Sequence, residues 1–215
     1  MRATGPKDPH PGSSYWPAGH EENATHLEKV ELFTRALENV GGRVYRAASL
    51  VEAYSIVAAE LARANGKRAL LSGGEWPELE GALTSAGVAF DRWDELDFSH
   101  GSKDRAPDVV NAWDAGIGWA DYAVADLGSV ALLFDRDQGR SVSLLPPRYI
   151  SLVRKDALVM SRRTVLEDVD RRFRKAGRNG SVVFVTGPSR SADIEMDLSV
   201  GVHGPGEVWA ILIDE

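Results

Sequence analysis

Ten consecutive residues, Thr186-Gly-Pro-Ser-Arg-Ser-Ala-Asp-Ile-Glu195, gather hydroxyls, a guanidinium and two carboxylates directly after the apolar run Ser181-Val-Val-Phe-Val185. The run reads as a buried strand, because β-branched and aromatic side chains pack well on a pleated surface. Gly187 permits unusual backbone angles and Pro188 removes a donor, so the strand must end there. The groups beyond it are held at the sheet's edge. Ser189 can donate or accept, Arg190 offers a planar fork to a carboxylate or phosphate, and Asp193 can hold that fork or cap a following turn. This set suits an anionic ligand. It suits equally a long crossing loop fastened by an Arg190–Asp193 pair.

Asp193 and Glu195 are two residues apart, which puts them on one side of an extended segment but on different faces of a helix. Spacing alone therefore does not make them an acid–base pair. Met196, Leu198, Val200 and Val202 alternate with Asp197, Ser199 and Gly201, predicting a half-buried extended stretch. His203 ends it before Gly204-Pro205, and with an ordinary pKa of about 6.5 it is a candidate proton donor or acceptor, or else a turn residue bonded to backbone. Two further segments interrupt apolar runs. Asp126-Leu127-Gly128-Ser129 delivers an acid and a hydroxyl between two strands, as a hairpin turn also would. Ser72-Gly73-Gly74 follows a strand and could bring backbone N–H groups to a phosphate, although the sequence lacks both GxxxxGK[ST] and GxGxxG. HExxH, CxxC, GxSxG and kinase signatures are absent, and no metal-ligand set is assigned.

The elements that position these groups follow from periodicity. Thr25, Leu27, Val30, Phe33 and Leu37 recur at helical spacing up to Gly41-Gly42. Ser49-Leu-Val-Glu52 forms a capping box for a second helix reaching about Asn65, stopped by Gly66. Pro77 to Ala86 is a third helix, with Gly87 as its cap. Short strands RVYRA, RALLS and VAFDRW alternate with these helices, and strand–helix alternation predicts a three-layer α/β domain with a mostly parallel sheet. Residues 119–153 are β-rich and broken by turn signals, and are expected to add strands to that sheet. Ser161 to Ala176 forms a further helix with Val165, Val169 and Phe173 on one stripe. Its arginines interleave with Glu167, Asp168 and Asp170, which favours a solvated face of local ion pairs over a phosphate site. The terminal EVWAILID is a strand, so the chain ends in the sheet. In such sheets ligands bind beyond the carboxyl ends of the strands.

Composition narrows the function. A formal charge of -7 disfavours a general nucleic-acid or anionic-membrane surface, since either needs a clustered positive field. Zero cysteine excludes disulfides, a thiolate-ligated iron–sulfur cluster and a cysteine nucleophile. No apolar run approaches the roughly 20 residues of a membrane helix and no signal peptide is evident, so a cytoplasmic protein is expected. Residues 1–22, rich in Pro, Gly and Ser with His10 and His20, predict a flexible arm ahead of one domain over 23–215.

GPSR-x-ADIE with VGVHGP and a terminal strand, together with ADYAVADLGSVALL and LLPPRYI, resembles the lactate-utilization (LUD) domain family in its LutC/YkgG-like branch. The likeness covers about residues 45–214. It implies a fold of the NagB/RpiA/CoA-transferase-like type and a subunit that works with iron–sulfur partner proteins in oxidising L-lactate to pyruvate. Clusters would then sit in the partners and no cofactor in this chain, an expectation that matches the missing cysteines. Under that reading Ser189 and Arg190 bind a small carboxylate or assist assembly, and His203 accepts a proton. The family pattern implies a Glu-Thr-Gly-Thr type of string where this sequence has Asp126-Leu127-Gly128-Ser129, one methylene short for the covalent carboxylate of a CoA-transferase. Two other readings stand beside it. One is an autonomous transferase or isomerase acting on a CoA ester or phosphorylated metabolite through Ser72-Gly73-Gly74 and Asp126. The other is a non-catalytic binding or regulatory domain in which Arg190 and Asp193 are structural.

Overall fold

The computed structural model describes residues 24–72, 76–96, 112–134, 140–175, 177, 180–192, 198–200 and 204–215, with backbone alone for 190–192 and 198–200. The arm expected over 1–22 lies outside them. Helix α1 (His26–Asn39) opens on a capping box between Thr25 and Glu28 that the apolar recurrence alone does not announce, and buries Val30, Phe33 and Leu37. Helix α2 (Leu50–Arg63) is capped by Ser49, whose side chain accepts from the Glu52 N–H, and α3 (Pro77–Ser85) carries its proline in the first turn. Among the described residues no helix is long and apolar enough to cross a membrane.

Strands β1 (Arg43–Ala47), β2 (Arg68–Leu71), β3 (Ala89–Arg92), β4 (Ala115–Trp119), β7 (Arg148–Arg154) and β12 (Glu207–Ile213) form one parallel sheet in the order β1-β12-β7-β4-β2-β3. The carboxyl-terminal strand thus lies inside the sheet, paired with β1 and β7. Its alternation shows how the layers are built. Trp209, Ile211 and Ile213 join α2 and α3 in one apolar cluster, while Val208, Ala210 and Leu212 join α1 in another. Covered on both faces, such a strand reads as a continuous apolar run.

The β-rich middle does not simply widen this sheet. Only β4 and β7 join it, whereas β5 (Tyr122–Val124), β6 (Ser129–Phe134), β8 (Leu158–Val159) and β9 (Ser181–Val185) form a second sheet in the order β8-β5-β6-β9. A short ladder, β10 (Arg190–Ala192) with β11 (Leu198–Val200), stands apart. The division follows from β6, all of whose residues are buried. Val130, Leu132 and Phe134 pack towards the main sheet, and Ala131 and Leu133 pack with Val165 and Phe173 of the carboxyl-side helix. A strand with two apolar faces needs cover on both, and a second layer provides it.

That helix is shorter than its pattern predicts. Helix α4 (Arg162–Val169) passes into a π-type turn over Asp170–Arg174, closed by Lys175 N–H donating to the Asp170 carbonyl at 2.9 Å. Phe173 is still buried. The expected local ion pairs are present: Arg163 with Glu167, Arg171 and Arg172 with Asp168, and Arg174 with Asp170.

At the amino ends of the central strands, Glu207 takes Arg148 at 2.6 Å and Arg43 at 3.7 Å, and accepts from the Trp209 indole at 3.2 Å. The two guanidiniums also lie over the Trp209 ring, 4.8 Å and 5.5 Å from its centre. This cluster ties β1, β12 and β7 together. The hydrogen bond from Arg148 holds the Glu207 carboxyl below its ordinary value of 4.5, despite partial burial. Its contribution to stability is therefore present above that value and is lost as pH falls through the lower, folded one. In urea unfolding, the stability difference between wild type and Glu207→Gln should be largest near neutrality and should shrink as pH drops below about 4. A difference that does not change with pH would contradict it.

The β5–β6 turn packs equally closely. Gly128 has φ +60°, and a Cβ there would lie 2.3 Å from the Leu37 nitrogen and 2.5 Å from the Ala36 carbonyl carbon. Both the backbone angle and the close approach of α1 demand glycine. Gly128→Ala should cost about 2–3 kcal/mol, read as a lower urea midpoint at unchanged slope.

Candidate functional site

A cavity of about 530 Å³ opens where the two sheets meet. It lies at the carboxyl ends of three adjacent parallel strands: Ser72 follows β2, Gly118 and Trp119 end β4, and Arg154 ends β7. This is the place where a parallel sheet offers loops to a ligand. The second sheet closes it with Leu132, Leu133 and Phe134 of β6.

Asp121 sits at the junction. The chain leaves β4 through Ala120 and Asp121 and enters β5 at Tyr122. Asp121 N–H still donates to the Ala131 carbonyl at 3.0 Å, but the ladder opens beyond it and the Leu133 N–H donates at 2.8 Å to the Asp121 carboxylate instead. A side chain has replaced a backbone acceptor. Burial raises the Asp121 pKa above its ordinary 3.8, and the Leu133 N–H and the Arg172 guanidinium at 3.9 Å only partly offset this.

Arg172 in turn is held by a second acid. Asp168 is 4% exposed and takes Arg172 at 2.5 Å, Arg171 at 2.6 Å and the Tyr122 hydroxyl at 2.8 Å. Burial pushes the Asp168 carboxyl up, yet these donors outweigh it and hold the group below the ordinary range. The π-type turn brings Arg172 to the cavity, in line with the frequent placement of such turns at functional sites.

Hydroxyls line the inner wall. Tyr149 is 2% exposed and burial drives its phenol far up the scale, with Ser151 beside it. A Cβ on Gly118 would meet Ser72 Oγ at 3.2 Å and the Tyr149 oxygen at 3.4 Å, so glycine leaves both hydroxyls uncrowded. At the rim the Arg154 guanidinium lies 4.5 Å from the centre of the Trp119 ring, which stacks on Trp76 at 5.8 Å and 14°. The Trp76 indole donates to the Ser72 carbonyl at 2.9 Å, joining the stack to the end of β2. Arg154 makes no ion pair among the described residues.

Of the residues singled out in the sequence, Ser72 lines this cavity. Gly73, Gly74, Asp193, Glu195 and His203 lie outside the described residues, and Arg190 is described by its backbone in β10 alone. Asp126, Gly128 and Ser129 sit at the closed end of the β5–β6 hairpin, whereas the cavity is at its open end. Ser129 Oγ meets Thr186 Oγ1 at 2.6 Å, so the two motifs are adjoining. Ser189 N–H donates to the Pro205 carbonyl at 2.8 Å, near the amino ends of β7 and β12, where Gly206 and Glu207 donate to the Pro147 carbonyl. Asp121 and Tyr149 fall within the family-like strings ADYAVADLGSVALL and LLPPRYI but were not singled out in them, and Arg154 and Arg172 had no motif to announce them. The available signal was an acid between two apolar runs, GIGWA and YAVA.

Sequence relatives include the lactate utilization protein C of Oceanobacillus iheyensis, 45% identical over 107 residues, which are 49% of this chain and 46% of that protein. The Bacillus subtilis protein of the same name is 44% identical over 107 residues, 47% and 43% of the two chains. The aligned part of this chain thus spans about half the length of the curated relatives it matches. Its fold is similar to that of a DUF162 family protein from Deinococcus radiodurans, with a TM-score of 0.64 over 89% of this chain and 99% of that one, at 24% identity. The family model of the LUD domain matches residues 30–213, and this chain belongs to the LUD domain family.

Proposed function

We propose that the protein acts in lactate utilization as a LutC-like subunit, binding a small carboxylate and working beside iron–sulfur partner proteins in the oxidation of L-lactate to pyruvate. Family membership and relatives named lactate utilization protein C support the pathway. The observation that carries the subunit reading is chemical. Lactate oxidation releases two electrons, and a chain with no cysteine cannot ligate a thiolate-bound cluster to receive them. What this chain does offer is a cavity lined by the guanidiniums of Arg154 and Arg172 together with the carboxyl groups of Asp121 and Asp156.

A second reading draws on the size of the cavity. At about 530 Å³ it falls in the range of cofactor-sized ligands and exceeds a three-carbon acid, which keeps a transferase or isomerase acting on a CoA ester or phosphorylated metabolite in view. Asp126 would not serve that site, being at the hairpin's other end. Millimolar CoA esters or sugar phosphates that raise the melting temperature would favour this second reading.

Reconstitution separates the two. The purified chain with L-lactate and an artificial electron acceptor should give no pyruvate. Co-expressed with the iron–sulfur proteins of a lactate-utilization system, it should co-purify with them, and omitting it should reduce their lactate oxidation at least about tenfold. Undiminished oxidation without this chain would overturn the proposal.

A further inference from the structure

We propose that the cavity between the sheets is a proton-linked anion site, in which Arg154 takes the carboxylate of a short 2-hydroxy or 2-oxo acid and Asp121 binds as the neutral acid, donating to the ligand's 2-oxygen. This deepens the lactate-utilization reading and rests on it for the choice of ligand class.

The positive end follows from pairing. Arg172 faces the cavity but is committed to Asp168 at 2.5 Å, with Asp121 at 3.9 Å on its other side. The Arg154 guanidinium carbon lies 4.5 Å from the centre of the Trp119 ring and the side chain makes no ion pair among the described residues, which leaves N–H donors for a planar carboxylate. Asp156 also lines the cavity and, like Arg154, is exposed at the rim, where water screens both charges.

The acidic end follows from charge. An ionised Asp121 inside the cavity repels an incoming anion, whereas a protonated one supplies an O–H donor. The groups that face it decide which form prevails. Burial, the largest influence, and the neighbouring charge of Asp168 favour the acid; Leu133 N–H, Arg172 and the Asp121 backbone N–H favour the carboxylate, and the Tyr149 phenol stays neutral. An anion entering the cavity adds a further negative charge and tips the balance to the acid. Binding then follows carboxylate plus proton plus anion to acid–anion complex, with no other bond made or broken. Asp168 cannot substitute, since three donors hold it ionised. Two carboxylates pushed in opposite directions around one arginine divide the work between them: one positions, the other carries the proton.

Calorimetric titration of the full chain with pyruvate and with L-lactate tests this, from about pH 5 to about pH 8, at each pH in two buffers that hold that pH, contain no small oxyanion and differ in ionisation heat. Above the Asp121 pKa the affinity should fall by up to about tenfold per pH unit, and the difference between buffers should report up to one proton taken up per ligand. Asp121→Asn should still bind while losing both the proton uptake and the pH dependence. Arg154→Ala should weaken binding at least about tenfold at every pH, with a far-ultraviolet spectrum unchanged from wild type. Binding without proton uptake in the wild type, or an Asp121→Asn variant that keeps the slope, would overturn the proposal. So would absence of binding by either acid in a chain that still supports lactate oxidation with its partners, an outcome that leaves the subunit reading intact. Proton-linked binding in a chain that its partners do not need would do the reverse.

Discussion

Where β4 ends, the chain has two residues, Ala120 and Asp121, in which to leave a parallel sheet and enter an antiparallel hairpin. A backbone that changes sheets frees N–H and carbonyl groups, and buried ones need partners. Ala120 N–H donates to the Leu152 carbonyl of the sheet being left, at 2.9 Å, and Asp121 N–H to the Ala131 carbonyl of the one being entered, at 3.0 Å. The Leu133 N–H, released where the hairpin opens, finds the Asp121 carboxylate at 2.8 Å. A structural debt of the fold is thus met by an ionisable side chain, and the same splaying of strands makes the cavity. Site and topology have one origin.

That origin also sets the electrostatics. A carboxylate half-buried beside Leu132, Leu133 and Phe134 loses part of its hydration, and its few donors only partly offset the cost of its charged form. Asp168, almost fully buried, escapes this because donors surround it. The difference lies in satisfaction, not in depth. Arg172 bridges the two, and it reaches them from a π-type turn whose altered register also lets Phe173 pack under the second sheet. A regular continuation of α4 would rotate each following side chain by a fraction of a turn and could not serve both contacts as placed.

Much of this architecture was written in local patterns. Ser49-x-x-Glu52 and Pro77 mark helix starts through capping chemistry that depends on three or four neighbours, and those helices stand where expected, although the Glu52 carboxylate takes the Ala48 N–H and not that of Ser49. EVWAILI announced a strand that ends the chain in the sheet, and it lies inside that sheet, covered on both faces. The second sheet was not legible, because whether a run such as SVALLF joins one sheet or another depends on partners distant in sequence. The site suffered in the same way. Ser72 was foreseeable from its place after a strand, but Asp121 comes from the β4–β5 junction while Tyr149 and Arg154 stand near opposite ends of β7, and no local spacing links the junction to that strand. Arg172 carried the signature of a solvated ion-pair face, and it does pair locally with Asp168; only the turn it occupies brings it to the cavity as well. The conspicuous DLGS string meets the packing demand of a turn against α1.

The distance between that turn and the cavity does not make it irrelevant to the chemistry. Strand pairing has a side-chain period of two, so a slip of one residue exchanges the faces of a whole strand. The β5–β6 register is pinned at its closed end by the positive-φ Gly128 against α1 and by the Ser129–Thr186 hydroxyl contact. From there the pairing runs Val124 with Ser129, Ala123 with Val130 and Tyr122 with Ala131. That count brings the Leu133 N–H, two residues further on, opposite the Asp121 carboxylate. Shifted by one, Leu132 would offer its N–H to that place with the opposite face of the strand, and Leu133 would turn from α4 towards the main sheet. The glycine at one end of the hairpin therefore sets the protonation environment at the other, through nothing more than strand geometry.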